Sequence, residues 1–203
     1  IIYCGTLDAC SSSLSRFQVL NNGNHQVTPI DTYPYILDHY WIIRAIHTRL
    51  LVGPAITRLN KEILRKVELC SPDIVWIDQG KYIKPDTLRI IKKKSNAVLV
   101  HHNTDDVLNK RHSFKYYFKS LDLYDFHFTS NIYNVKELAE MTQAKVIFND
   151  NGYDGDLHKP VIVNKSDSQR MSSDILFVGH WEENTQLFVN ELISENISIR
   201  VHG

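Results

Sequence analysis

Short runs of β-branched and aromatic residues alternate with stretches whose apolar positions recur at helical spacing, and this alternation predicts parallel βαβ units. Ile1 to Cys4 reads as a first strand ending at Gly5, and Ser11-Ser12-Ser13 supplies good helix N-cap residues. A helix through Phe17, Val19 and Leu20 stops at Asn21-Asn22-Gly23, and His25 to Ile30 is the second strand. A long insertion, Tyr33 to Cys70, holds one apolar helix around Trp41 to Leu51 and a second opened by Gly53-Pro54. That second helix spaces Ile56, Leu59, Ile63 and Val67 along one face. Strands then follow at Pro72 to Asp78, Ala97 to His101, Phe126 to Ser130 and Lys145 to Phe148. Helices are expected at Pro85 to Lys94, weakly near Phe114 to Leu121, and at Ile132 to Met141.

Tyr153 to Ser173 breaks the rhythm with polar residues and Pro160, as an interdomain linker does. Asp174 to Val178, Gly179, a helix from Glu182 to Glu195 and Ile197 to Val201 make a fresh βαβ start. The expectation is an α/β protein: a Rossmann-like parallel sheet flanked by helices over residues 1–160, a linker over 161–173, and the opening βαβ unit of a second Rossmann-like domain over 174–203. The chain opens on Ile1-Ile2-Tyr3 without an initiator Met and closes on a strand pattern, so a trimmed product of a longer polypeptide is expected.

Composition narrows the function classes. Apolar residues make up 43% and charged residues 23% of the 203, enough for a real core. Lys plus Arg and Asp plus Glu each total 23, a balance that argues against a protein built to hold nucleic acid. Apolar runs such as Val98 to Val100 fall far short of the roughly 20 residues of a membrane span. No secretory h-region stands at the N-terminus, and Cys4, Cys10 and Cys70 lack metal or disulfide spacing. A soluble, cytoplasmic-type protein is the expectation.

In open parallel sheets ligands bind outside the carboxyl ends of the strands, where loops and helix N-termini converge. Five places qualify. Gly5-Thr6 with Ser12 and Ser13 has the small residue and hydroxyls of an anion-binding turn, although one glycine is neither a dinucleotide fingerprint nor a P-loop. Asp78-Gln79-Gly80 and Ser130-Asn131 lie at two further strand exits, and Gly179-His180-Trp181 opens the second unit. His101-His102-Asn103-Thr104-Asp105-Asp106 is the densest polar cluster, and an imidazole there suits a general base or a diphosphate partner. Adjacent strand residues point to opposite faces, so only one of the two rings can easily face a cleft. The spacing fits no standard metal motif, and no metal or cofactor is expected. The plainer reading is that Asn103-Thr104-Asp105 caps the next helix. Lys92-Lys93-Lys94 reads as a solvated helix end, and Tyr116-Tyr117-Phe118 as core; Trp41-Ile42-Ile43 with Arg44 and Arg49 reads as core, with peripheral lipid contact as the alternative.

Several segments carry a family likeness. Phe128-Thr129-Ser130-Asn131 with Val135-Lys136-Glu137-Leu138, then Asn151-Gly152-Tyr153-Asp154 with Leu157-His158-Lys159-Pro160, resembles the spore-maturation (CgeB-type) glycosyltransferases of the GT4-like group, which have the GT-B fold. Asp174 to Trp181 and Ile199 to Gly203 look like the opening of that family's donor domain, and Ser15-Arg16, Gly23 to Val27 and Ile30-Asp31 are similar to its acceptor-domain start. The resemblance implies metal-independent transfer of a sugar from a nucleotide-sugar donor to an acceptor (glycan, protein or small molecule) in an interdomain cleft. It implies that Gly5, with Thr6, Ser12 and Ser13, borders the donor diphosphate. His101 or His102 would be catalytic near the reacting sugar, and Gly179, His180 and Trp181 would begin the donor loops. Asp78, Gln79, Asn103, Asp105, Ser130, Asn131, Asn151 and Gly152 would line the acceptor side. The family's donor pocket lies beyond Gly203, so this fragment alone is expected to be inactive. A non-hydrolysing nucleotide-sugar epimerase and a non-catalytic carbohydrate-binding module are the alternatives.

Overall fold

The computed structural model describes residues 1–9, 11–36, 40–109, 115–155, 158–179 and 181–202, with the side chains of 41–43 and 46 outside the description. Cys10, Phe114, Leu157, His180 and Gly203, and the side chains of the Trp41-Ile42-Ile43 patch, therefore lie outside the described residues. The chain divides into two compact units, Ile1–Asp154 and Gly155–Gly203.

The first unit is a Rossmann-like α/β sandwich. Its strands are β1 (Ile2–Gly5), β2 (Thr28–Asp31), β3 (Ile74–Asp78), β4 (Val98–Asn103), β5 (Phe126–Thr129) and β6 (Lys145–Phe148), all parallel, in the order β2-β1-β3-β4-β5-β6. The helices between them are α1 (Ser12–Asn22), α2 (Tyr33–Ile36), α3 (Trp41–Leu50), α4 (Pro54–Cys70), α5 (Pro85–Lys94), α6 (Lys115–Phe118) and α7 (Ile132–Met141). The chain runs from β1 outward to β2 and then returns to β3 on the other side of β1. The pair β1/β3 is thus the point where the winding reverses, and a crevice opens at its carboxyl end.

The period-two alternation of β1 sets the two layers. Ile2 and Cys4 join Ile56, Leu59, Ile63, Leu88 and Ile91 in one core, while Tyr3 on the opposite face packs its ring on Phe17 of α1 at 5.8 Å. The predicted stripe of α4 is buried along its length, from Ile56 through Leu59 and Ile63 to Val67. Tyr117 is core, as its run suggested.

Strand β4 runs two residues further than the apolar pattern indicated. His102 and Asn103 continue the ladder because Asp78 and Phe128 stand opposite His102, and Thr129 opposite Asn103, in register. Asn103 does not cap a helix; its Oδ1 accepts from the Asp105 amide at 3.2 Å in a local turn.

The second unit contains α8 (Lys165–Met171), β7 (Ile175–Val178), α9 (Glu183–Ser194) and β8 (Ile199–His202), with β7 and β8 paired in parallel. The segment expected as a linker over 161–173 therefore includes a helix. Asn164 starts it, accepting from the Asp167 amide at 2.8 Å, yet none of its residues is buried, so no apolar stripe announced it. Among the described residues no helix is long and apolar enough to cross a membrane.

A buried asparagine ties the first unit's insertion to the crevice. Asn60 of α4 donates through Nδ2 to Ile56 O at 2.7 Å and Tyr82 O at 2.9 Å, and its Oδ1 accepts from Lys84 N and Thr87 Oγ1, each at 2.8 Å. Asn60→Leu strands three of those groups, so it is expected to cost about 2–4 kcal/mol of unfolding free energy in a urea titration. It should also speed hydrogen exchange at Lys84, whose amide loses its acceptor; unchanged exchange there would refute the tether.

Candidate functional site

Parallel strands bring all their carboxyl ends to one edge, so Gly5-Thr6, Asp78-Gln79, His102-Asn103 and Ser130 share a rim on adjacent strands β1, β3, β4 and β5. Ser130 is tied to its neighbour strand: its amide donates to Asn103 O and its hydroxyl to Thr104 O, both at 3.3 Å. Asn131 starts α7, accepting from the Tyr133 amide at 3.0 Å. Asn151 and Gly152 are exposed beyond the edge strand β6, three strands from Asp78. Gly179 and exposed Trp181 belong to the second unit.

The centre of the rim is Asp78, which is buried. Its Oδ1 accepts from His102 Nδ1 at 2.9 Å, and its Oδ2 from Tyr3 Oη at 2.9 Å and from Arg16 Nη2 and Nε at 2.8 and 3.3 Å. Burial alone would raise the Asp78 carboxyl, but the His102 hydrogen bond, the Arg16 charge and Ser13 outweigh it and hold it well below the usual carboxylate range. Asp78 is thus a fixed anion inside the fold, and Arg16, 24% exposed, is its cation at the rim.

Gly5 makes this network possible. A Cβ at Gly5 would collide with Ser13 Oγ and stand 3.1 Å from Asp78 Cβ, so only glycine lets the start of α1 close on β3. Ser13 and Asp78 fill the space on the side where a side chain would stand, while the next residue, Thr6, lines a crevice. Ser13 is buried against Tyr3, whereas Ser12 is exposed and accepts from Arg16 Nη2 at 3.2 Å.

The two imidazoles part company, as neighbouring strand residues must. His101 points into the core, with Tyr117 stacked at 4.0 Å and Tyr124 and His127 at 5.2 and 5.5 Å. Its Nε2–H donates to Gln79 O at 3.2 Å, since a carbonyl can only accept. Burial, helped by His127, lowers its pKa to about 3, so it is neutral at physiological pH. His101 is therefore corrected from a cleft base to an interior residue. His102 lies on the other face beside Trp76 (5.8 Å) and is only 2% exposed, so neither ring stands on an open rim. Its Nδ1–H goes to Asp78, and Nε2 has no hydrogen bond among the described residues. This is the carboxylate–imidazole pairing that fixes a tautomer and leaves Nε2 as acceptor.

Beside the network lies a crevice of about 20 Å³ lined by Thr6, Thr32, Asp78, Gln79, Gly80 and Lys81. Gln79 and Gly80 both adopt left-handed backbone, φ 63° and 64°, which turns the chain sharply out of β3. Among the described residues no three His, Cys, Asp or Glu side chains gather as metal ligands.

Asp78, Thr6, Gln79 and His102 were legible from strand exits. Arg16, Tyr3, Thr32 and Lys81 were not singled out as part of the network or crevice, because their places depend on which helix and loop fold against β3. The i, i+4 spacing of Ser12 and Arg16 was the one local signal. A scan against protein-family models finds no match to this chain, and a search of curated proteins finds none. The class that fold and rim define is a Rossmann-like α/β protein with a polar, charge-compensated winding-reversal point.

Proposed function

We propose that the chain is the acceptor-side lobe, with the opening of the donor lobe, of a metal-independent GT-B-type glycosyltransferase that moves a sugar from a nucleotide-sugar donor to an acceptor. Three features support the reading: the parallel Rossmann-like sheet, the second compact unit beginning with a βαβ element, and the sequence likeness of Phe128 to Asn131 and Asp174 to Trp181. The observation that carries it is the Arg16–Asp78–His102 network at the winding-reversal point. Departure of the diphosphate from the anomeric carbon is the costly step, and a cation held at the rim is the group that stabilises that charge. His102, oriented by Asp78, is the imidazole assigned to the acceptor hydroxyl proton, a role that requires its Nε2 to be uncovered when substrate is bound.

The test is nucleoside diphosphate release and acceptor glycosylation by the whole protein. His102→Ala is expected to lower kcat by about 100-fold or more, while His101→Phe, altering a buried ring, should leave kcat within a few fold. Equal activity of His102→Ala and the parent protein overturns the assignment. Isomerised donor without glycosylated acceptor would mean epimerase chemistry, and acceptor binding without turnover a binding module.

A further inference from the structure

Lys81 brings an unmet cation to the lining of a crevice. It sits half-buried at the crevice between β1 and β3, and among the described residues its Nζ makes neither a hydrogen bond nor an ion pair. Its neighbours are the Tyr82 ring, 5.9 Å from Nζ to centroid, and the more distant charge of Asp105. The Asp78 carboxylate that shares the crevice is already paired with the Arg16 charge and hydrogen-bonded by His102, so it leaves the Lys81 charge unanswered. The same crevice is lined by Thr6 and Thr32, whose hydroxyls stand 3.0 Å apart, with Thr32 more than nine-tenths buried. The Lys81 backbone N–H also donates to nothing among the described residues.

We propose that this crevice binds one terminal oxygen of an anionic group, a phosphoryl or a carboxylate, through Lys81 Nζ with Thr6 and Thr32 completing the cradle. The volume sets the limit: about 20 Å³ holds a single water-sized oxygen, so the rest of the ligand lies outside on the rim. Desolvating a lysine without a partner is costly, and an anion repays it with a charge-assisted hydrogen bond. The loop that presents Lys81 is held in advance, by His101 Nε2 on Gln79 O and by Asn60 Nδ2 on Tyr82 O, so binding need not order it. The site rests on the sugar-transfer reading only for which substrate carries the anion.

The experiment titrates the protein with sodium phosphate and, separately, sodium acetate, against sodium chloride at matched ionic strength, following the thermal midpoint and amide shifts of residues 79–82. A saturable response to phosphate alone assigns a phosphoryl group, and saturation by both anions admits a carboxylate. In either case Lys81→Gln should weaken binding at least about tenfold. Thr32→Val, which keeps the ammonium, should weaken it less, and Lys93→Gln on the exposed end of α5 should not change it. No saturation beyond chloride, or equal saturation in Lys81→Gln, overturns the site. Phosphate binding without nucleoside diphosphate release would leave this site standing and remove the sugar-transfer reading; transfer without phosphate saturation would do the reverse.

Discussion

Asp78→Leu is expected to cost about 3–5 kcal/mol of unfolding free energy, the largest loss of any single change at the rim. Among the described residues the carboxylate is the one anion touching Arg16 and His102, so its removal leaves those two donors facing an apolar side chain, while the Tyr3 hydroxyl keeps Ser13 O at 2.9 Å. Asp78→Asn is not a rescue. Its amide presents donors on one side, so either Arg16 or His102 meets an N–H instead of an oxygen. Arg16→Leu alone should cost less than Asp78→Leu, because its guanidinium is partly solvated and His102 remains to bind the carboxylate. The pair Asp78→Leu/Arg16→Leu should then recover part of the loss, giving a coupling energy of about 1–3 kcal/mol in a double-mutant cycle by urea denaturation. Additive single effects would mean that the two charges do not stabilise one another, and the site would lose its electrostatic centre.

The same residues mark where sequence reading succeeds and stops. The α4 stripe and the order of strands were legible because burial on one face writes its period into the sequence: Ile56, Leu59, Ile63 and Val67 have no other reason for their spacing. The rim followed from strand order alone, since parallel strands must end together. The continuation of β4 through His102 and Asn103 was not legible, because its polar side chains are stabilised by partners from β3 and β5 and by no local signal. Helix α8 escaped for the opposite reason, having a cap but no buried face. The paired histidines were found as a cluster, but their burial was not foreseen. Their enclosure depends on Tyr117 and Tyr124, residues well downstream that pack beneath His101, and on Trp76 beside His102. Alternation correctly separated the two rings, while only tertiary packing could say that both were covered.

That enclosure predicts a loss of stability that begins at mildly acidic pH. In the folded chain His101 binds a proton only near pH 3, whereas the unfolded chain binds one near pH 6.5. His127 is shifted the same way by burial, with Tyr117 Oη donating to its Nδ1 and its Nε2–H donating to Leu121 O. The unfolded state therefore holds more protons below pH 6.5, so unfolding free energy falls as pH drops from about 6.5 towards 3, by up to about 1.4 kcal/mol per pH unit for His101 alone. Asp78 acts in a lower window. Its folded pKa is depressed, so its contribution is complete above its unfolded value of 3.8 and is lost only below it. Urea titrations between pH 7 and pH 4.5 thus report the histidines without the carboxylate. His101→Phe keeps a ring against Tyr117, removes the donor to Gln79 O, and should flatten the slope over that interval while lowering stability at pH 7. A parallel pH dependence in His101→Phe and the parent protein would mean that the His101 ring already carries its proton in the folded chain, and the aromatic cage could not then be the closed, uncharged compartment that its four rings form.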